Sequence, residues 1–180
     1  MQHVTRILCI SGSLRRASLN SAVLEALREV ASDDFCVCLY QRVAELPLFN
    51  PDNEQQLIPA LHELKQAISQ ADVLLIASPE YAHGITGALK NLLDHLVSGE
   101  EIVCKPVVLI NTSPRASHAQ QSLREILQTM SAKILDGACL DIPLLGRGLP
   151  VDQIVHDPMT RQQLLGLLEV LKNERFSGSD

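Results

Sequence analysis

The chain has 180 residues, of which 46% are hydrophobic and 20% charged, and these proportions are typical of a globular protein rather than a disordered one. Its formal net charge of −6 argues against binding to nucleic acid or to an anionic membrane, because both require a basic face. No apolar run approaches the roughly 18 residues of a membrane-spanning helix, and no secretory signal is visible, so we expect a cytoplasmic protein. We predict one domain over residues 1–176 and a disordered tail over residues 177–180.

Apolar segments alternate with segments of helical periodicity five times along the chain. Strands are predicted at residues 4–10, 35–40, 72–77, 106–110 and 134–140. The helices that follow them have apolar stripes over residues 23–30, 61–68, 89–96, 123–130 and 164–171. This alternation is typical of an α/β fold, and it predicts a doubly wound, five-stranded parallel sheet of order 2-1-3-4-5 with helices on both faces. A ligand should then bind beyond the carboxyl ends of the strands, in the loops after the first, third and fourth.

Short polar residues mark the places where helices begin. Thr86 is predicted to cap the third helix, and Asp157 followed by Pro158 is predicted to open the last one. Lys90 and Asp94 are four residues apart on the third helix, the spacing of a surface ion pair.

The five cysteines show neither a disulfide framework nor the spacing of zinc ligands. Cys9, Cys104 and Cys139 lie in or beside apolar stretches, and Cys36 and Cys38 share a predicted strand. We therefore expect reduced thiols that pack as small core residues, and we expect no metal site.

The loop after the first strand has the composition of a phosphate site. Residues 11–20 contain three serine hydroxyls, an asparagine amide, two arginines and one glycine, and they lead directly into a helix. Backbone amides at a helix N-terminus, short donors and a positive charge suit a phosphate. The loop carries neither the nucleoside-triphosphate nor the dinucleotide fingerprint. The alternative is a polar turn in which Ser18 or Asn20 only caps the helix.

The loops after the third and fourth strands offer groups that can surround a ligand. In the former, Tyr81 supplies an aromatic ring, Pro79 stiffens the turn, and Gly84 allows a close backbone approach. His83 is either a site residue or an ordinary solvated loop residue. The last loop, residues 111–118, closes the site from the other side, or else it is a helix start capped by Ser117.

Two segments together resemble the signatures of the NADPH-dependent FMN reductases, a flavodoxin-like family that includes quinone, chromate and azo-dye reductases. Residues 10–20, ISGSLRRASLN, are similar to the phosphate loop of that family. Residues 79–94, PEYAHGITGALKNLLD, are similar to its second signature, and residues 46–52, LPLFNPD, to a weaker third.

The resemblance implies a flavodoxin-like fold, one bound FMN per subunit, NAD(P)H as co-substrate, and a homodimer or homotetramer. It assigns the phosphate and ribityl chain to the first loop, the isoalloxazine ring to the second, and the pyrimidine edge of that ring to the Ser113 loop. The residues it nominates for the cofactor are Ser11, Ser13, Leu14, Arg15, Ser18, Asn20, Pro79, Glu80, Tyr81, Ala82, His83, Gly84 and Ser113.

The chain departs from the family pattern at three places. Ala82 stands where the family usually has Asn, so only backbone contacts are available there. Thr86 stands where Pro is usual. The third loop has Pro114 and Arg115 where the family usually has small glycines.

The resemblance implies an oxidoreductase in which the flavin takes a hydride from NAD(P)H and then reduces a small acceptor. Quinones, free flavin, azo compounds and metal oxyanions remain open as acceptors, as does the choice between NADH and NADPH. His83 and Arg115 are the candidates for contacting the nicotinamide nucleotide or stabilising reduced flavin. The alternative is a flavodoxin-like electron carrier or flavin-binding sensor that does not oxidise NAD(P)H. Carriers usually hold the flavin between aromatic rings, and only Tyr81 lies in a candidate loop.

Overall fold

The computed structural model describes residues 4–53, 57–174 and 176. Within these residues strands and helices alternate as the sequence predicts. In chain order the elements are β1 Thr5–Ser11, α1 Leu19–Val30, β2 Phe35–Tyr40, α2 Pro59–Gln70, β3 Val73–Ala77, α3 Gly87–Asp94, β4 Pro106–Asn111, α4 Ser117–Thr129, β5 Lys133–Ile134, β6 Leu140–Asp141 and α5 Pro158–Asn173. The predicted tail, residues 177–180, lies outside the described residues.

The sheet is parallel, and its strand order is β2-β1-β3-β4-β5. This confirms the predicted 2-1-3-4-5 order. The direction of winding reverses between β1 and β3, so the crevice at the carboxyl ends of these two strands is the expected ligand site.

The fifth strand differs from the prediction of one continuous strand over residues 134–140. Two short strands replace it: β5 pairs with the beginning of β4, and β6 pairs with its end. A 3₁₀ turn over Asp136–Ala138 separates them. Asp136 and Gly137 are turn formers, and an edge position tolerates the interruption because β4 already has β3 as its other neighbour.

Two apolar clusters cover the two faces of the sheet. Ile7, Cys9 and Leu75 face the cluster that contains residues of α1 and α5. Leu8 and Ile76 face the cluster formed with α2, α3 and α4. Because both faces are buried, the central strands carry apolar residues at successive positions, which is why the sequence shows runs rather than alternation.

The predicted caps Thr86 and Asp157 are confirmed, and of the two caps considered as alternatives to a site role, Ser18 caps its helix and Ser117 does not. Ser18 accepts a hydrogen bond from the Ser21 amide, and Thr86 and Asp157 cap α3 and α5 in the same way. Ser117 does not cap α4: it is the first residue of the helix, and the preceding Ala116 has no side chain able to cap.

The expectation that the cysteines are core residues holds fully only for Cys9, which is buried. Cys139 is half-buried, and Cys36, Cys38 and Cys104 are exposed. For Cys36 and Cys38 the cause is the position of β2 at the sheet edge, where one face of the pleat lies open and alternate residues reach solvent. Cys104 and Cys139 lie in loops before β4 and β6. Separately, no helix among the described residues is long and apolar enough to cross a bilayer.

Candidate functional site

The loops after β1, β3 and β4 meet at one edge of the sheet and surround a cavity of about 270 Å³. Most of the residues nominated from the sequence line it: Ser13, Arg15, Ser18, Asn20, Pro79, Glu80, Tyr81, Ser113 and Arg115. Ser11 and Leu14 instead line a neighbouring cavity on the far side of the first loop. Ala82, His83 and Gly84 lie in a turn beyond the lining of the first cavity. The cavity is also lined by four residues that the sequence does not single out: Ala17, Leu19, Thr112 and Leu145.

The first and second loops approach so closely that only glycine fits at position 12. A Cβ atom on Gly12 would lie 2.4 Å from Ser78 Oγ and 2.7 Å from Ser78 Cβ. The Gly12 amide donates to the Ala77 carbonyl at 2.8 Å, and the Thr86 hydroxyl donates to the Gly12 carbonyl at 2.6 Å. The two loops are therefore fastened together before any ligand binds.

Serine hydroxyls shape the first loop from within. Ser11 Oγ lies 2.8 Å from Ser21 Oγ and accepts from the Ser13 amide at 3.2 Å. Ser18 lines the cavity and also caps α1, so this residue does not only cap the helix. No acidic residue occupies the first turn of α1, so no carboxylate of that turn offsets the positive end of the helix dipole.

A buried hydrogen bond joins the first loop to the third. The Thr112 hydroxyl donates to Asn20 Oδ1 at 3.0 Å, and both side chains are buried. Thr112 is a polar residue directly after an apolar strand, at the carboxyl end of the sheet. That position is the signal by which the sequence could have revealed it.

The second loop contains a tight turn with two residues in the left-handed region. Tyr81 and Gly84 exchange backbone hydrogen bonds of 3.0 Å each, and the central residues Ala82 and His83 have φ values of 49° and 60°. Neither central residue is Gly or Asn, the types that adopt this conformation most easily. The turn places the Tyr81 side chain at the cavity with 52% of its surface exposed.

The same loop holds the start of α4 at two points. Glu80 Oε2 accepts from the Ala119 amide at 2.8 Å, so this carboxylate supplies the cap that Ala116 and Ser117 do not. The ring of His83 stacks on that of His118, with 4.3 Å between centroids and 15° between planes. These contacts fix the third loop, which carries Ser113 and Arg115, relative to the second.

Asn91, in the second signature, organises the segment over residues 46–53. Its side chain donates to the Pro47 carbonyl at 2.9 Å and accepts from the Phe49 amide at 2.8 Å. His95 adds a hydrogen bond to the Pro47 carbonyl and an edge-on contact with the Phe49 ring. Between these anchors Leu48 is left 86% exposed.

The donor set fits a flavin phosphate and not a metal ion. The first loop and the amino end of α1 line the cavity with the Ser13 and Ser18 hydroxyls, the Asn20 amide and the Arg15 guanidinium, a set that suits a dianionic phosphate. Within the described ranges, no cluster of three or more His, Cys, Asp or Glu side chains could hold a metal ion.

Comparison with known proteins agrees with this geometry. Residues 5–143 match the model of the family described as NADPH-dependent FMN reductase. The chain belongs to this family. It is therefore an FMN-dependent oxidoreductase with NAD(P)H as co-substrate, rather than a carrier or sensor.

Named relatives lie in the same family. The chain is 33% identical over 144 residues to a quinone reductase of Escherichia coli, with 76% of each chain covered. It is 34% identical over 158 residues to a 2-hydroxy-1,4-benzoquinone reductase of Burkholderia, covering 84% of this chain and 79% of the relative.

Solved structures share the fold. FerB, a flavoenzyme NAD(P)H:(acceptor) oxidoreductase of Paracoccus denitrificans, aligns with a TM-score of 0.75 at 22% identity, over 92% of this chain and 96% of that one. An NADH:FMN oxidoreductase aligns with a TM-score of 0.62 at 23% identity, over 94% and 91% of the two chains.

Proposed function

We propose that the enzyme uses NAD(P)H to reduce a small aromatic acceptor, a quinone or an azo compound, through FMN held in the cavity between the three loops. One observation carries the proposal: the loops at the switch between β1 and β3 form, with the loop after β4, a single cavity lined both by anion-binding groups of the first loop and by the apolar or aromatic side chains of Pro79, Tyr81 and Leu145. Relatives named quinone reductase and NADPH azoreductase support this choice of acceptor.

We assign the phosphate end to the first loop. Ser13, Ser18 and Asn20 offer short polar contacts, and Arg15 offers the charge for a phosphate that carries nearly two negative charges. Ser11 supports this arrangement from behind through its contacts with Ser13 and Ser21. The fold supplies the rest, because backbone amides at the start of α1 point toward the anion.

We assign the isoalloxazine ring of FMN to the second and third loops. Pro79, Glu80 and Tyr81 line the cavity on one side, with Ser113 and Arg115 on the other. When bound, FMN supplies the redox chemistry by taking a hydride from NAD(P)H and passing electrons to the acceptor. The protein then needs no side-chain nucleophile. We assign His83 a positioning role, because its ring is engaged with His118 outside the cavity lining.

The decisive experiment is anaerobic titration of the purified protein with NADPH, followed by a quinone. We expect flavin absorbance at one FMN per chain, bleaching on addition of NADPH, and recovery on addition of quinone. Steady-state kinetics should show a ping-pong pattern, since both substrates meet the same flavin. A yellow protein that stays oxidised would contradict the enzyme, and a colourless protein unable to take up FMN would contradict the site.

We further propose that the enzyme works in the cytoplasm as a homodimer or homotetramer. Three exposed cysteines without a disulfide suit a reducing compartment. The exposed Leu48, in a loop fastened from both sides, suits contact with a second copy of the chain.

A further inference from the structure

The family match ends at residue 143, yet the segment that follows reaches the same cavity. We propose that Leu145 contacts the flat aromatic ring held in the cavity, whether flavin or acceptor, and that Arg147 is a positioning residue that fixes Leu145 there. This inference rests on the proposed function and deepens it, because it names an apolar contact for the ring that the family signatures do not contain.

Backbone hydrogen bonds bring the segment to the site. The Ile142 amide donates to the Asn111 carbonyl at 2.8 Å, which extends the pairing of β6 with β4. The amides of Leu144 and Leu145 both donate to the Thr112 carbonyl, at 3.0 and 3.2 Å. The Thr112 hydroxyl also donates a hydrogen bond to Asn20 in the phosphate loop, so Thr112 connects the segment directly to that loop.

The side chains of this segment divide sharply between core and cavity. Ile142 and Leu144 are 1% and 2% exposed and belong to the core cluster on the α1 and α5 face. Leu145 is 53% exposed and lines the cavity. Because Ile142 and Leu144 are buried, the segment keeps Leu145 at the cavity with half of its side chain exposed to solvent. Covering this exposed apolar surface with an apolar ligand would be favourable.

An ion pair fixes the far end of the segment. Both terminal nitrogens of Arg147 donate to the Asp157 carboxylate, at 3.0 and 2.9 Å, and the Arg147 amide donates to the Leu144 carbonyl at 3.1 Å. Gly146 and Gly148, which flank Arg147, have φ values of 89° and 68°. Glycine adopts positive φ values more easily than any other residue, so it suits both positions. The turn that presents Leu145 is thus clamped to the start of α5.

The chemistry around Leu145 suits an aromatic ring. Pro79 and Tyr81 line the same cavity, so with Leu145 they offer it an aliphatic, a pyrrolidine and a phenol surface, while Ser13, Arg15 and Ser18 line it from the first loop. A flat ring can bury one edge or face against these groups and keep its polar edge free for hydrogen bonds.

The test compares Leu145→Ser and the milder Leu145→Ala with Met159→Ser, a control at an exposed apolar residue of α5 outside the cavity. Full-length proteins are titrated with FMN and with riboflavin, which has the ring but no phosphate. The reduced holoenzymes are then reoxidised with a naphthoquinone or with ferricyanide, an acceptor that has no ring.

If the flavin ring is the contact, Leu145→Ser should raise the dissociation constants of FMN and riboflavin alike, by about fivefold. If the acceptor ring is the contact, flavin affinity should stay constant while the half-saturating naphthoquinone concentration rises about fivefold and ferricyanide is unaffected. Leu145→Ala should change the same quantity in the same direction. If the Leu145 variants bind FMN and are bleached by NADPH but none of these constants changes, the inference is overturned while the proposed function stands. A wild-type chain that binds no FMN overturns the proposed function and this inference with it.

The positioning role of Arg147 has its own readout. Arg147→Ala should change the same binding constant as Leu145→Ser, and the double variant should lose little more than either single one, because both act through one contact. Arg147→Lys, which keeps the charge but loses the two-pronged geometry, should lie between wild type and Arg147→Ala. Losses that simply add would show that Arg147 stabilises the fold and does not position Leu145.

Discussion

At the scale of single residues, the sharpest question is which cation meets the flavin phosphate. Arg15 lines the cavity, whereas Arg16 lines only the neighbouring one. A charge-assisted hydrogen bond is worth roughly 1.5–3 kcal/mol, so Arg15→Ala should weaken FMN binding about tenfold or more. Riboflavin affinity should change little, and Arg16→Ala is the matched control. Equal losses for FMN and riboflavin in Arg15→Ala would exclude a phosphate contact.

Arg115 poses the corresponding question for the nicotinamide nucleotide. Within the described part of the chain no ion pair involves its guanidinium, and it lies at the positive end of α4, where a cation is a poor partner for the helix dipole. That combination favours a bound anion, and the 2′-phosphate of NADPH is the candidate that arginine can grip with two hydrogen bonds.

Arg115→Ala should therefore raise the Michaelis constant for NADPH several-fold and leave that for NADH nearly unchanged. Arg161→Ala, an exposed arginine on α5, is the control. Steady-state kinetics with both nucleotides decide the matter: parallel changes, or none, remove Arg115 from this role.

Ala82 carries a conformational cost that a substitution should relieve. Its φ of 49° lies in the left-handed region, which costs a residue with a Cβ atom roughly 1 kcal/mol. Asn tolerates this region better, so Ala82→Asn should raise the free energy of unfolding by about 0.5 kcal/mol, and Ala82→Val should lower it by more. Urea denaturation of the three proteins measures the differences; a destabilised Ala82→Asn would contradict the assigned turn.

At the scale of elements, α5 owes part of its stability to one carboxylate. Two hydrogen bonds from Arg147, followed by those from the hydroxyl and amide of Thr160, lower the pKa of Asp157 to about 2. The ionised form of Asp157 is therefore more favoured in the folded state than in the unfolded state, where the pKa of this carboxyl is near 3.8. Stability from this group is complete above about pH 4 and is lost as the pH falls from about 4 toward 2.

Asp157→Asn should remove roughly 2 kcal/mol of unfolding free energy at pH 7 and flatten its decline between about pH 4 and 2. Asn keeps the helix cap, so the difference reports the charge rather than the cap. Urea unfolding at several pH values gives the comparison, with Asp152→Asn as a control at an exposed carboxylate. An unchanged pH profile would show that Asp157 is not the stabilising anion.

How far the sequence predicted these elements depends on the range of the interactions that decide them. The strands β1, β3 and β4 were predictable because both of their faces are buried, which requires apolar residues at successive positions. The edge strand β2 was predictable as a short apolar run, and crossover rules then restrict the strand order. The caps Thr86 and Asp157 were predictable because they act within three residues. The split between β5 and β6 was not, since pairing with opposite ends of β4 decides it.

The same distinction separates the predicted from the unpredicted parts of the site. Residue types in the first loop pointed to an anion, and four of those residues line the cavity, namely Ser13, Arg15, Ser18 and Asn20, whereas Ser11 and Arg16 line only the neighbouring one. The capping of α4 by Glu80 joins positions 39 residues apart, and the bond from Thr112 to Asn20 spans 92 residues. Leu145 reaches the cavity through pairing with the end of β4, so a single sequence carries no local sign of it.

At the scale of the whole molecule, two exposed apolar side chains favour assembly. Leu48 is 86% exposed, yet its loop is held rigidly by Asn91 and His95, so the exposure is not a consequence of a loose loop. Val97, which follows His95 by two residues, is 63% exposed. Burying such side chains against a second copy would gain roughly 1–2 kcal/mol for each residue covered.

We therefore expect light scattering at micromolar concentration to give the mass of a dimer or tetramer. Leu48→Asp should shift the mass toward the monomer, because it places a charge where an apolar contact is needed. Met159→Asp, at a similarly exposed apolar residue of α5, should leave the mass unchanged. A monomeric wild-type protein with flavin bound would contradict the assembly, and so would a dimer that Leu48→Asp leaves intact, since contact through this loop requires that side chain to be covered.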